Sequence, residues 1–146
     1  MRRPPRIVLI AAGVIVFLAV SFELARWLTL EDVERTDILS LLTAEVHGDA
    51  ASMLAQLHDC TAQCREHVRT DALGLKRPGS VQILARSSAT AYTLTGAVGF
   101  TRVAWMVGGR LPVVQCVTVS RTGNVLTGLD VRLLRVSLPI PSTSDC

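Results

Sequence analysis

At 146 residues and a formal charge of +3, the chain is long enough for one small domain and too weakly basic for a nucleic-acid footprint. Residues 1–27 carry four Arg against one Glu, which is the whole excess, whereas residues 28–146 hold eleven basic and eleven acidic side chains. The basic balance is a matter of where the N-terminal arginines sit, and nucleic acid is excluded as the expected partner.

Arg2, Arg3 and Arg6 precede an uncharged run from Ile7 to Phe22. Those sixteen residues span about 24 Å as helix, short of a hydrocarbon core of roughly 30 Å. Extension to Leu28 brings the length to about 33 Å. Glu23 and Arg26, three apart, can pair and snorkel, and Trp27 suits the headgroup level. Residues 1–28 are therefore expected to form cytoplasmic arginines and a transmembrane signal-anchor, with the lipid bilayer contacted through residues 7–28. An exported domain over 29–140 and a tail over 141–146 follow. The expected location is the cell membrane, single-pass, with the N-terminus cytoplasmic and the C-terminal domain extracytoplasmic. The alternative is a signal peptide cleaved after Ser21, at Ala19-Val20-Ser21.

Next comes a helical pattern. Thr29 is a candidate N-cap with Asp32 at the capping-box position, and Ile38, Leu41, Leu42 and Val46 form an apolar stripe. Gly48 fits the C′ position and Asp49 caps a second helix over about Ala50–Leu57, which offers Met53, Leu54 and Leu57 to the core. A third helix is predicted over Ala62–Leu73. "LKRPGS", Leu75 to Ser80, then breaks the pattern at Pro78-Gly79. Strands are predicted over Val81–Arg86, Ala89–Leu94, Thr101–Val107, Leu111–Arg121 and Asn124–Leu138. Gly108-Gly109 is a hairpin signal, Thr122-Gly123-Asn124 a turn, and Gly128 a bulge candidate. Helices followed by an antiparallel meander predict an α+β fold, with two or three helices on one face of a curved sheet.

The "VHGDAASML" helix junction and the long final hairpin "LPVVQCVTVSRTGNVLTGLDVRLLRVSLPI" resemble those of the NTF2-like, or cystatin-like, α+β roll. The chain is also similar to single-pass exported proteins of GC-rich Gram-positive bacteria. The resemblance covers roughly Glu31 to Ile140 and implies a concave sheet pocket. It implies no particular activity, since the fold hosts enzymes, binding modules and assembly parts.

"LHDCTAQCREH", Leu57 to His67, holds two of the four cysteines and two of the three histidines. His58, Cys60, Cys64 and His67 are zinc-type ligands, but their spacing is poor and His58 turns away from the helical face of the others. Cys64 and His67 can touch at i, i+3, but they lack the assembled pocket of a thiol nucleophile. The expected outcome is a disulfide, Cys60–Cys64, closing where a helix ends, with Cys116–Cys146 as the second pair. No metal and no cofactor is expected. His58 and His67 are placed on helix surfaces near the junction, and His47 at a helix C-terminus facing the dipole.

Acid–base groups are sparse in the sheet half, where residues 81–146 carry two acids and six arginines. Tyr92 and Asp130 are the one candidate pocket pair, and Arg102, Arg132 and Arg135 the candidate binding surface. The sequence is read as a membrane-anchored extracytoplasmic binding or assembly module without catalytic activity, with a protein partner at the cell envelope. The alternative is a small-molecule or enzymatic pocket centred on Tyr92 and Asp130.

Overall fold

A computed structural model describes residues 6–90, 96–124 and 128–146. The chain divides into two compact units, Met1–Val33 and Glu34–Cys146. Helix α1 runs unbroken from Arg6 to His47, so Thr29 lies inside a helix and not at the start of one. In the first unit this helix exposes a run of large apolar side chains, from Ile7 to Leu24.

The expected anchor is overturned. Among the described residues no helix is long and apolar enough to cross a membrane. The uncharged run stops at Phe22, after about 24 Å of helix. Reaching a full span required Glu23 and Arg26 within it. Transmembrane residues 7–28, and the single-pass placement in the cell membrane that rested on them, are withdrawn.

The second unit begins inside α1 and follows local signals closely. Gly48 has φ +74°, donates its N–H to Glu45 O at 2.9 Å, and is followed by Asp49 N–H donating to Ala44 O at 2.9 Å. These two bonds are a Schellman C-cap, which only a residue free of left-handed strain closes cheaply. A Cβ at Gly48 would also stand 2.9 Å from Lys76 Cδ and 3.2 Å from Ala72 O. His47 lies in the last turn, as expected, and its Nδ1–H donates to Thr43 O at 2.6 Å. Asp49 caps α2 (Ala50–Gln56) by accepting from Ser52 N–H, and bonds from Ser52 hold its carboxyl below the ordinary range. Thr61 caps α3 (Ala62–Gly74) by accepting from Cys64 N–H. Between them Asp59 takes φ +59°, a conformation that aspartate tolerates better than most residues.

Four antiparallel strands follow in the order β1-β2-β3-β4: β1 (Val81–Thr90), β2 (Gly96–Val107), β3 (Val113–Asn124) and β4 (Gly128–Val136). Among the described residues the fold is α+β, with three helices and one meander. Five strands were expected. The difference lies at Ser87-Ser88, which continue β1 because Ser88 pairs with Thr101 and meets its hydroxyl at 3.2 Å. Gly108 and Gly109 form a turn, with φ +55° and +72° and Arg110 N–H donating to Val107 O at 3.1 Å, but strand pairing ends at Trp105 and Val113, so the connection is longer than a two-residue hairpin. Thr122, Gly123 and Asn124 belong to the ladder, and the connection falls on residues 125–127, outside the described ones. Pairing also resumes at Gly128 without a shift. The irregularities fall at Leu84 and Leu134 instead.

The core lies between the helices and one sheet face. Ile38, Leu41, Leu42, Val46, Met53 and Leu57 meet Val103, Trp105, Val117, Val119, Leu133 and Val136, while Leu54 packs half-buried against them. The helix layer is tied to the sheet through the backbone as well: His58 N–H donates to Leu133 O at 2.8 Å, and Leu57 bridges Leu133.

Candidate functional site

Two buried glutamates stand on the core-facing stripe of α1. Glu34, Ile38, Leu41, Leu42 and Glu45 follow helical spacing, and each is fully buried. At one end, Glu34 gathers three strands. Thr101 Oγ1 donates to its Oε1 at 2.7 Å, Arg86 lies 3.5 Å from Oε1, and Arg121 donates Nε–H to Oε2 at 3.0 Å and pairs through Nη2 as well. At the other end, Glu45 meets an amide. Trp105 Nε1–H donates to Gln115 Oε1 at 2.7 Å, and Gln115 Nε2–H donates to Glu45 Oε1 at 2.7 Å.

Asp71 of α3 is also buried. Among the described residues, Glu45 Oε2 and Asp71 Oδ2 have no hydrogen-bond partner. Burial first, and then the neighbouring Asp71, push the Glu45 carboxyl up to about 8 against the bond from Gln115, and burial pushes Asp71 to about 7. Among the described residues no guanidinium pairs with Glu45, and desolvation favours its neutral form. The apolar-stripe reading passed over Glu34, Glu45 and Asp71. The signal was in the period itself, since Asp71 shares a face with Cys64, Val68, Ala72 and Leu75.

The four cysteines form the two expected pairs. Cys60 pairs with Cys64 at a Cα separation of 5.3 Å, and Cys116 with Cys146 at 5.7 Å, which leaves no free cysteine. The thiol and zinc readings lose their sulfur ligands to these bonds. Among the described residues no three His, Cys, Asp or Glu side chains converge on a metal site. His58 is exposed and His67 half-buried on α3.

The outer sheet face has two parts. Near its middle it is strapped by the tail: Ile140 N–H donates to Val114 O at 2.8 Å, Cys146 is bonded to Cys116, and Arg102 donates to the carbonyls of Ser142 and Ser144. Arg102 therefore holds the tail rather than offering an open guanidinium. Further along, the face is bare. Phe100 is 48% exposed in register with Thr118 and Arg135, and Val98 is 59% exposed in register with Ser120 and Arg132. Arg135 is exposed and has no ion pair among the described residues, while Arg132 pairs with Asp130 at 2.6 Å. Asp130 is thus a half-exposed strand residue beside an arginine, and Tyr92, its proposed companion, lies outside the described residues.

A cleft of about 190 Å³ opens at the rim of the helix layer, lined by Asp37, Gln56, His58, Val131 and Leu133. Partial burial, and then Asp130, raise the Asp37 carboxyl above its ordinary range. No protein-family model, curated protein or solved structure matches this chain.

Proposed function

We propose that the chain is a disulfide-stapled docking module of an oxidising, extracytoplasmic compartment, built on an NTF2-like roll, which binds an acidic protein partner without catalysing a reaction. The observation that carries the reading is the bare outer rungs of the sheet, where Phe100 and Val98 lie beside Arg135 and Arg132. An apolar side chain large enough to anchor a contact, flanked by cations, matches the make-up of protein-recognition surfaces, in which aromatic and Arg residues are enriched. The compartment is supported by the two disulfides, which persist where thiols are not kept reduced. Helices preceding a bulged antiparallel meander support the roll.

The test is affinity capture with the whole chain from envelope extracts, followed by measurement of the captured protein's affinity. Arg135→Glu and Phe100→Ser each weaken binding about tenfold or more, and added salt slows association, because exposed charges are screened over about 10 Å at 0.1 M. Tyr92→Phe and Asp130→Asn leave binding intact. Loss of binding in Tyr92→Phe without a salt effect transfers the function to a pocket centred on Tyr92 and Asp130.

A further inference from the structure

The rim cleft is separate from the docking face and carries the opposite electrostatic sign. At its floor the exit from α2 is bonded to β4 through His58 N–H and Leu133 O, and Leu133 is buried. Its one acidic side chain is Asp37, and Gln56 and His58 can each accept as well as donate a hydrogen bond. Asp37 contributes a carboxylate that has no hydrogen bond or ion pair among the described residues. Gln56 uses one amide N–H on Ser52 O at 3.1 Å, and its Oε1 can accept from a ligand in the cleft. His58 adds an imidazole with a ring nitrogen that accepts when neutral. Val131 and Leu133 supply the apolar wall. No Lys or Arg is among the lining residues, and the nearby Arg132 is engaged with Asp130.

We infer that this cleft is a binding site for a single organic cation, a guanidinium or alkylammonium head with a short apolar stem. The electrostatics favour a cation and oppose an anion. Asp37 is partly buried, and Asp130 adds a smaller repulsion, so its negative charge is under-solvated and repelled. A cation in the cleft answers both penalties, and a planar guanidinium can donate to Asp37 and Gln56 together. The stem lies against Val131 and Leu133. A cleft of about 190 Å³ has room for one such head. The same head can come from a free amine or from an arginine side chain of a bound peptide.

The charged and titrating groups around the site are Asp37 on α1, His58 at the α2 exit, and Asp130 with Arg132 on β4. The experiment titrates methylguanidinium chloride into the full chain and follows backbone and carboxyl NMR signals, with sodium chloride at equal ionic strength as the control. Saturable shifts at Asp37, Gln56 and His58 are expected, together with a lowered titration midpoint for the Asp37 carboxyl, because the bound cation favours its charged form. Asp37→Asn, nearly isosteric, weakens binding about tenfold or more while thermal unfolding stays cooperative. N-acetylarginine amide and an arginine-containing peptide are then compared. Equal affinity identifies a free-amine site, and a gain with the peptide identifies a peptide side chain as the source. No shift beyond the sodium control, or equal binding by Asp37→Asn, overturns the inference. So does an unmoved Asp37 midpoint, a readout that needs no variant.

Discussion

Glu34 and Glu45 occupy the same stripe of the same helix, three turns apart and equally buried, yet the protein treats them in opposite ways. Glu34 is surrounded by charge: two guanidiniums and a hydroxyl, from three different strands, converge on it. Glu45 receives one amide N–H and faces a second buried acid. The difference teaches that burial alone does not set the state of a carboxyl. What stands opposite it does. The first glutamate fixes α1 on the sheet through ion pairs, and the second sits there as an uncharged acid.

The largest effect expected from breaking this contrast is at the charged end. Arg121→Ala leaves Glu34 buried with only Arg86 and Thr101, and should cost about 3–5 kcal/mol in denaturant unfolding, the usual penalty for stranding a buried charge. Replacing both partners together, as Glu34→Leu with Arg121→Met, should recover much of that loss. If the double variant is as unstable as the single one, the pair contributes more than the cost of a stranded charge. Between the two glutamates, Leu42→Ala removes a fully buried side chain and should cost about 2–5 kcal/mol, which calibrates ordinary packing on the same stripe.

At the uncharged end the expected effect is smaller and depends on pH. The folded values of about 8 for Glu45 and about 7 for Asp71 lie above the 4.5 and 3.8 of the unfolded chain. The native state thus holds protons that the unfolded state releases. This stabilisation is complete below pH 3.8 and declines as pH rises, disappearing once pH has passed through 7 and then 8. Glu45→Gln should flatten that decline. It should also raise stability at pH 9 relative to the parent, by about 1 kcal/mol or more, read from urea midpoints. An unchanged slope would mean that Glu45 titrates alike in both states. The smallest effect is that of salt. Raising it to 1 M should move the Arg121→Ala penalty by less than about 1 kcal/mol, because buried pairs are screened far less than exposed ones.

Much of the frame was legible because its signals are local. Gly48, Asp49 and Thr61 act within a few residues, and so does the Gly108-Gly109 turn. The two cysteine pairings followed from proximity and elimination. What failed was whatever depended on context beyond the window. Thr29 is a good cap in isolation, but the helix preceding it never stops. Ser87-Ser88 resemble a break until Thr101 arrives from the next strand. Arg86 and Arg121 look like surface arginines in a list of charges. Only the register, which turns Thr101, Gln115 and Arg121 inward, reveals that they belong to a buried network. Arg102 was expected at a binding surface and instead binds the chain's own tail. The rim cleft was invisible because Asp37, His58 and Val131 come from three segments with no shared spacing.

The two disulfides also differ in when they can form. Cys60 and Cys64 are four residues apart at the α2–α3 junction, so they can meet before any strand has been made. Cys116 must wait thirty residues for Cys146, until β4 has been made and the tail has crossed the outer face. For that interval it is the one reactive thiol on a half-built sheet. Early closure of the Cys60–Cys64 link removes its nearest wrong partners. The short bridge, worth only about 2 kcal/mol by loop entropy, thereby protects the fidelity of the longer one, worth nearer 4. If Cys60 and Cys64 are both changed to Ser, the remaining pair should still close. If only one is changed, the survivor competes for Cys116 during oxidative folding, and scrambled chains should appear on non-reducing gels.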